Sequence, residues 1–526
     1  MATYNSEVFI YGATFPGLVA ARKIAAMGHT VNVCEWTTHV GGLTTGGLGK
    51  GDIVGQPGTA NNTRWGLVLD FFKTISANPP YNNTDGSEVY NFANSEGIAA
   101  MNQILLDDSK VVVATGCWLK AVTKDPISRK ITSVTMQNGD VYTASIFLDC
   151  SYEGDLAAMS GVTMSYGRDS QRHYNERVQD REGYGVQRPG INIEGADEED
   201  FKSVDENGNL YPWRTWPPSP WLKDGDPSSR AQAFGFRHNF SRREDRLPWP
   251  MPAGYRREDF LWVADMIANN GGAGSTFPLR ISGYEVSGAG SNKFVTNGGD
   301  LPGFFTNQWT KASYQERIRI QNAAFYFCAG VMYFAANDTA VSSTYRNRLN
   351  LWGLCADEFQ DDYIGAPGWA SAYYVRQSRT MVGQYVMTTA DMFDDGTGTN
   401  NWHKADSIAV GGYTIDAHPH YWWPDPDGER TWEEGKLEYN GLKLYSIPLR
   451  SILPVVSQVS NLIVPVAFSA STLNLNSARM EPTWGVMCES AGTLAALALD
   501  QGKDINDVPY DDLRTALDAA GAVLTR

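Results

Sequence analysis

The sequence predicts an α/β fold, and three observations carry the prediction. Near the N-terminus a strand (Glu7 to Tyr11), a glycine turn, a helix (Leu18 to Met27) and a second strand (Val31 to Glu35) follow one another. Together they make a βαβ unit of about 30 residues. Short apolar runs continue the strand pattern between Lys110 and Leu148. Close to the C-terminus, a strand at Leu462 to Pro465 precedes Thr483 to Leu499, a helix rich in small residues and suited to close packing on a sheet.

The other elements follow in order. A helix is expected at Arg64 to Ile75 and a short buried strand at Lys110 to Thr115. Cys117 to Val122 and Ile131 to Met136 form a hairpin, closed by Val141 to Leu148 after the Asn138-Gly139 turn signal. From Met164 to Gly303 the pattern loosens, broken by Pro217-Pro218-Ser219-Pro220 and Asn269-Asn270-Gly271-Gly272. A stretch of that length is no simple loop and marks the start of an inserted domain. Helices return at Tyr314 to Ala336 and at Ala370 to Met392.

Composition bounds the function. The 526 residues predict two or three structural units, at about 150 residues per domain. With 43 Lys plus Arg against 59 Asp plus Glu the net charge is −16, which argues against a nucleic-acid binder. No run approaches the ~18 apolar residues of a membrane helix. No signal-peptide pattern opens the chain, so the expected location is cytoplasmic. Six scattered cysteines form no C-x-x-C pair, neither a zinc pattern nor a secreted disulfide framework.

The chemistry is concentrated in the first turn. Gly12-Ala13-Thr14-Phe15-Pro16-Gly17 follows a strand and opens a helix, where backbone amides and the helix dipole receive a pyrophosphate. Thr14 stands where G-x-G-x-x-G has its middle glycine, giving up some backbone approach and adding a hydroxyl donor. Glu35 ends the second strand, 18 residues after Gly17, where an acid takes a ribose hydroxyl. A second glycine-rich loop, Gly41 to Gly49, begins six residues later. An ordinary packing turn does not account for it, because glycine carries an entropic cost wherever it is not needed.

On Gly12, Thr14, Gly17, Glu35 and the Gly41-Gly42 doublet, the chain resembles the FAD-dependent oxidoreductase family. That family lies within the flavoprotein superfamily that includes fumarate reductase and p-hydroxybenzoate hydroxylase. The middle Thr is itself typical of one subfamily. Asp149-Cys150-Ser151-Tyr152-Glu153-Gly154-Asp155-Leu156, Tyr374-Val375-Arg376-Gln377-Ser378-Arg379 and Ser477-Ala478-Arg479-Met480-Glu481-Pro482-Thr483 extend the match over nearly the whole chain. The resemblance implies a Rossmann-type FAD-binding domain with an inserted α+β substrate domain. The expected division is 1–163 and 441–526 for FAD and 164–440 for the insertion.

The resemblance also assigns roles. Gly12, Thr14 and Gly17 would hold the pyrophosphate and Glu35 the adenosine ribose, while Gly41, Gly42, Thr45 and Gly46 would run beside the diphosphate and flavin. Trp118 would touch adenine through its backbone, and Asp149 would lie near the cofactor. For Glu153 and Asp155 a turn with a helix cap is at least as good a reading. Pro482 and Thr483 open a helix whose positive end, with Arg479, would stabilise negative charge on the flavin; a surface salt bridge is the competing reading of Arg479. Attachment is expected to be non-covalent: His39 precedes the doublet, no histidine lies between Val40 and Lys50, and the linking histidine of covalent fumarate-reductase relatives follows it.

On the substrate side, Arg376 and Arg379 are three apart on an expected helix and would share a face for a carboxylate or polar ring substituent. An ion pair with Asp357 and Glu358 is the structural alternative. Arg237 and His238 match a family stretch that lines the substrate cavity. His418 and His420 stand two apart in a Pro-broken loop beside Trp422 and Trp423, and histidine is the natural base for a hydroxyl proton near neutral pH. With no third ligand nearby, no metal site is expected.

The expected function is oxidation of a small polar, sugar-like hydroxylated molecule by hydride transfer to flavin N5, with His418 as base and Trp423 walling the substrate. A monooxygenase or oxidase of an aromatic compound is the enzymatic alternative, and an electron-transfer flavoprotein subunit the non-enzymatic one. No second G-x-G-x-x-G follows a strand and opens a helix, which disfavours a separate nicotinamide domain. The electron acceptor is open among oxygen, a quinone and a carrier protein.

Overall fold

The computed structural model describes residues 1–51, 63–83, 88–169, 171–174, 227–269, 283–288, 290–296, 306, 308–360, 365–393, 401–418, 420, 422–424, 431–433, 437–439 and 442–525. Strand β1 (Thr3–Asn5) leads into β2 (Val8–Tyr11), helix α1 (Phe15–Ala26) and β3 (Val31–Cys34). Helices α2 (Gly66–Ala77) and α3 (Asn94–Ile104) precede β4 (Val111–Ala114). Strands β5 (Leu119–Lys124), β6 (Ile131–Met136) and β7 (Val141–Thr143) then hand the chain to β8 (Ile146–Asp149) and α4 (Asp155–Met159). A last short strand, β21 (Leu462–Ile463), comes from far along the chain.

The central layer is a five-stranded sheet of order β21-β8-β2-β3-β4 in which every pairing is parallel. Residues 8–11, 31–34 and 146–149 are buried throughout, the near-continuous apolar pattern of strands covered on both faces. The expected strand Val141 to Leu148 is two strands. β7 pairs with β6 and β1 in a second, four-stranded sheet, and β8 crosses into the central one. The break falls at Ala144-Ser145, where Ser145 N–H turns to Glu7 O at 3.1 Å.

The middle of the chain adds β9 (Met164–Tyr166), α5 (Gln171–Tyr174), β10 (Asn239–Ser241), α6 (Trp262–Asn269), β11 (Gly283–Val286) and β12 (Lys293–Thr296). Beyond them lie α7 (Tyr314–Asn337), α8 (Ser343–Leu349), β13 (Gly353–Leu354) and β14 (Arg379–Met381). β11, β12, β10 and β13 form an antiparallel sheet. Ser313 caps α7 by accepting Glu316 N–H at 3.2 Å. Phe234, Phe236, Trp309, Trp369 and Tyr373 pack edge to face among themselves, and Trp369 packs so on Phe325 of α7, in a large aromatic core.

No α-helix forms over Ala370 to Met392, where the one helical turn is the 3-10 segment Thr389–Asp391. The amides of Ala372, Tyr374, Met381, Val382 and Met387 bond instead to Gly46, Gly235, Ala467, Thr163 and Ser469. An amide that finds its carbonyl in another segment is lost to an i to i−4 ladder, so tertiary pairing overrides the helical pattern.

Six strands follow in three antiparallel pairs: β15 (Ser407–Gly411) with β20 (Tyr445–Pro448), β16 (Ile415–Ala417) with β19 (Leu437–Tyr439), and β17 (Trp422–Pro424) with β18 (Thr431–Glu433). The chain ends in α9 (Thr472–Ala478), α10 (Glu481–Gln501) and α11 (Tyr510–Ala519). The small residues of α10 serve a helix rather than a sheet. A Cβ on Gly492 would stand 2.8 Å from Ala20 O of α1, and one on Gly485 would stand 3.1 Å from Phe15 Cε1. α10 thereby caps α1, which itself covers the central sheet.

Candidate active site

The site begins at the turn between β2 and α1. Gly12 has φ +104°, and its N–H bonds Cys34 O at 2.7 Å. A Cβ there would meet Ser151 N at 2.5 Å, and one on Gly17 would meet Gly12 O at 2.1 Å. Both glycines are therefore required by the turn's own backbone. Thr14 caps α1 by accepting Gly17 N–H at 3.2 Å and donates its hydroxyl to Cys150 O at 2.9 Å. The hydroxyl that replaces the middle glycine thus ties the start of α1 to the end of β8.

Glu35 sits at the tip of β3 and is buried. Its carboxylate accepts Ala13 N–H at 3.0 Å, Thr37 N–H at 3.0 Å and the Thr37 hydroxyl at 3.1 Å. Burial pushes this carboxyl up to about 7 against the bonds from Thr37, and Glu153 across the cavity adds to the rise.

The second glycine loop lies alongside. Gly41 N–H bonds Ala13 O at 2.7 Å, and the loop then forms an irregular helical turn, Thr44–Leu48. Gly42 has φ +56°, and a Cβ on it would reach Tyr152 Oη at 2.3 Å and Thr14 Cα at 3.1 Å. A Cβ on Gly46 would meet Ala372, and one on Gly47 would meet Arg237 O at 2.3 Å. His39 Nε2 stands 3.1 Å from Thr45 Oγ1.

These segments line a cleft that opens to solvent. The N-terminal unit supplies Thr14, Glu35, Trp36, Thr37, His39, Gly42 and Leu43; the loop after β8 supplies Ser151, Tyr152 and Glu153; Trp309, Gln321 and Ser371 to Tyr373 close the far wall. The lining holds the elements a dinucleotide would use: a helix N-terminus and glycine loop toward phosphates, a buried acid toward ribose hydroxyls, and aromatic walls toward a flat ring. Tyr152, Glu153, Trp36, Thr37 and Leu43 were not singled out as ligands by sequence reasoning. The only signal for Tyr152 and Glu153 was their place in the Asp149 to Leu156 match.

Other expected residues lie further out. Asp149 is buried and accepts Ser151 N–H at 3.1 Å, Ser151 Oγ–H at 2.7 Å and Ala157 N–H at 2.8 Å, so it shapes the loop rather than facing the cavity. Trp118 donates Nε1–H to Trp36 O at 3.0 Å and stacks on Tyr314, and its carbonyl accepts Gln137 N–H, so it buttresses Trp36 from outside. Glu153 accepts Trp309 Nε1–H at 3.1 Å. Asp155 is clamped by Arg317 and Arg379, which hold its carboxyl down at about 2 against burial.

Arg376 and Arg379 do not share a face, because no helix carries them. Arg379 donates to Asp155 at 2.7 Å and to Glu153 O at 2.8 Å, and Arg376 to Ala233 O at 2.5 Å. Asp357 and Glu358 serve Lys293, Arg243 and Ser95 instead. The pair that does converge is Arg237 with Arg376, whose guanidinium carbons lie 4.4 and 4.9 Å from the ring centre of Tyr374. His238 does not line the cavity. It is buried in the aromatic core beside Trp369, where burial lowers it to about 3.

The two remaining histidines meet Arg479. His418 Nε2 lies 3.0 Å from Asp416 Oδ2, and Arg479 Nη2–H donates to Asp416 O at 2.8 Å and to Asp416 Oδ2 at 3.2 Å. Asn476 Oδ1 accepts Arg479 Nε–H at 3.3 Å and Gln232 Nε2–H at 2.8 Å, and Gln232 Oε1 accepts His418 N–H at 3.0 Å. Arg479 is thus buried and held by Asp416, neither a surface ion pair nor an uncommitted cation for a flavin. His420 is buried with Nδ1 2.7 Å from Arg230 O, and desolvation drives it well below its ordinary value. Neither histidine lines the cavity itself. The side chains of Trp422 and Trp423 lie outside the described residues. Pro482 and Thr483 are buried in the first turn of α10. Among the described residues, no three His, Cys, Asp or Glu are placed to hold a metal, and no helix is long and apolar enough to cross a membrane.

Four buried carboxyls, Glu35, Asp149, Glu481 and Glu489, are pushed up to about 7, with burial the largest cause in each. Unfolded, such groups titrate near 4. Their contribution to stability is fully present below that value and is lost as pH rises through about 7. The melting temperature of the apoprotein is therefore expected to fall between about pH 4 and 7 and to level off above that. A midpoint that stays level over that interval would show these carboxyls to be ionised throughout.

The family described as FAD dependent oxidoreductase matches residues 7–517. No curated protein matches the chain. Among solved structures, the Mycobacterium smegmatis Sdh1 complex in the apo form is 12% identical over 32% of this chain and 42% of that one, with a TM-score of 0.22. OxyS anhydrotetracycline hydroxylase from Streptomyces rimosus is 14% identical over 32% and 36%, with a TM-score of 0.23. The 3-ketosteroid-delta4-(5alpha)-dehydrogenase from Rhodococcus jostii RHA1 is 13% identical over 30% and 49%, with a TM-score of 0.20. The match spans less than half the length of each of these chains.

Proposed function

The chain belongs to the FAD dependent oxidoreductase family, and from that premise we propose that it oxidises a small polar, sugar-like hydroxylated substrate, with FAD bound non-covalently. When bound, FAD supplies the two-electron acceptor, taking a hydride at N5. In this reading residues 1–163 and 441–526 hold FAD and residues 164–440 form the substrate side. The observation that carries the choice of reaction is the pair His418 and Asp416, 3.0 Å apart and braced by Arg479. An imidazole whose Nε2–H is donated to a carboxylate has Nδ1 as its basic nitrogen, suited to drawing off a hydroxyl proton. Arg237 and Arg376, both stacked on Tyr374 next to the Gly46-Gly47 loop, are the candidates for orienting polar substituents.

The test is anaerobic loss of flavin absorbance with a panel of sugars, polyols, hydroxy acids and amines, with NADPH alongside. Bleaching by a hydroxylated compound and not by NADPH is the expected result. Bleaching by NADPH alone would replace this reading with a monooxygenase. Acid precipitation of the yellow protein should release all flavin to the supernatant, and a washed pellet that stays yellow would show a covalent link.

A further inference from the structure

Glu481 is a charged residue at the first position of a helix buried along most of its length. Its two carboxyl oxygens face different segments. Oε2 accepts the Thr44 hydroxyl at 2.6 Å, and Oε1 accepts the Tyr152 hydroxyl at 2.8 Å. Tyr152 Oη in turn accepts Leu43 N–H at 2.8 Å. A backbone N–H only donates, so Tyr152 Oη is an acceptor toward Leu43 and keeps its own O–H for Glu481. Three distant parts of the chain, the glycine loop, the loop after β8 and the start of α10, meet at this one carboxyl. Tyr152 and Leu43 also line the cavity, and Tyr152 Oη stands against Gly42, itself packed on Thr14.

We propose that Glu481 is a positioning residue of the cofactor site: through Tyr152 and Thr44 it holds the glycine loop against the phosphate turn, and it carries the proton that FAD binding requires. The inference rests on the reading of this cavity as the FAD site and deepens it. The physical reason is proximity of like charge. The diphosphate brings negative charge to the turn of Gly12 to Gly17, and among the described residues no Lys or Arg lines the cavity. A carboxylate one hydroxyl away from the glycine loop, which itself bonds that turn through Gly41 N–H and Ala13 O, opposes the phosphates when ionised and not when neutral.

The surroundings agree. The groups that face Glu481 are Tyr152, with Glu35 beyond it, and Cys488 two turns on along α10. Arg479, at the end of α9, directs its guanidinium to Asp416, and Lys23 of α1 lies 3.9 Å from Glu489. Burial pushes the Glu481 carboxyl up to about 7, against the bonds from Thr44 and Tyr152.

The test titrates apoprotein with FAD by fluorescence between about pH 5.5 and 8.5, in wild type, Glu481→Gln and Glu489→Gln. Wild type should lose affinity above neutrality, approaching tenfold per pH unit for one linked proton. Glu481→Gln should flatten that slope, so that its affinity at about pH 8.5 exceeds the wild type's by roughly tenfold, while Glu489→Gln, a buried carboxyl that does not line the cavity, keeps the slope. A slope that survives unchanged in Glu481→Gln overturns the proposal, whichever other group carries it. Should Glu481→Gln not fold, Thr44→Val decides: loss of one donor to the carboxyl should move the midpoint to higher pH, and an unmoved midpoint overturns the proposal. Absence of FAD binding at every pH in the wild type would instead sink the cofactor reading.

Discussion

Replacing Gly12 with valine is expected to give a protein that binds no FAD and is less stable even as apoprotein. The new Cβ would lie 2.5 Å from Ser151 N, 2.6 Å from Cys150 C and 2.7 Å from Cys150 O. These are backbone atoms at the end of β8 and cannot rotate away. The residue must also keep φ +104°, which a β-branched side chain resists. Overpacking and backbone strain together put the cost on the order of 2–6 kcal/mol. Sequence reasoning places such a side chain in the pyrophosphate position; the structure turns it into the protein instead. The valine thus breaks the seam between the β2 turn and β8, and the phosphate turn is lost with it. Gly28→Ala is the control. Gly28 has φ +109° but nothing within 4 Å of its Cβ position, so that variant should keep FAD and lose only about 1 kcal/mol. Equal loss of FAD in both variants would mean that backbone conformation, rather than close approach, is what Gly12 protects.

The contrast between those glycines shows where legibility in the sequence stops. The βαβ unit was readable because its signals are local: an apolar strand, a capping Thr14, a glycine turn and an acid at a fixed spacing. Thr14 and Glu35 accordingly stand where the motif expects them, at the N-terminus of α1 and beside the turn. Contacts between distant segments leave no such trace. The pattern over 370–392 suggests a helix because its amides look uncommitted in sequence, yet five of them pair with four other segments. With the helix goes the shared face of Arg376 and Arg379, and the convergence of Arg376 with Arg237 on Tyr374 takes its place.

Charged residues were hardest to assign because their partners decide their meaning. Arg479, placed three residues before a helix-opening proline, points to a cation aimed at the cofactor; the structure commits it to Asp416. The ionisable side chain that reaches from the start of α10 to the cofactor loop is Glu481. Its signal was an acid opening a helix that buries mostly apolar and small residues, and a first-turn acid is so common a response to the helix dipole that it attracts no notice.

The same commitment of Arg479 sharpens what His418 should do. If a hydride leaves a carbon bearing a hydroxyl, the oxygen's proton needs an acceptor, and the cofactor does not serve both ends. His418 has the geometry of a supported base, with Nε2 on Asp416 and Asp416 on Arg479. His418→Ala should leave the FAD spectrum intact and slow anaerobic flavin reduction by about 100-fold or more, the usual contribution of a positioned base. Asp416→Asn should act in the same direction through the imidazole's orientation: an amide that presents its NH₂ to Nε2 favours the tautomer with the proton on Nδ1, so the nitrogen intended as base is occupied. Both variants should alter the pH profile of the reductive step, because each acts on the one group proposed to take the proton. His420 is the next candidate, but it starts at a disadvantage. It is buried, its Nδ1 lies 2.7 Å from Arg230 O, and desolvation already opposes the charge a base must gain. Wild-type rates in His418→Ala, with full FAD occupancy, would remove His418 and with it the reason for assigning Asp416 and Arg479 to its support.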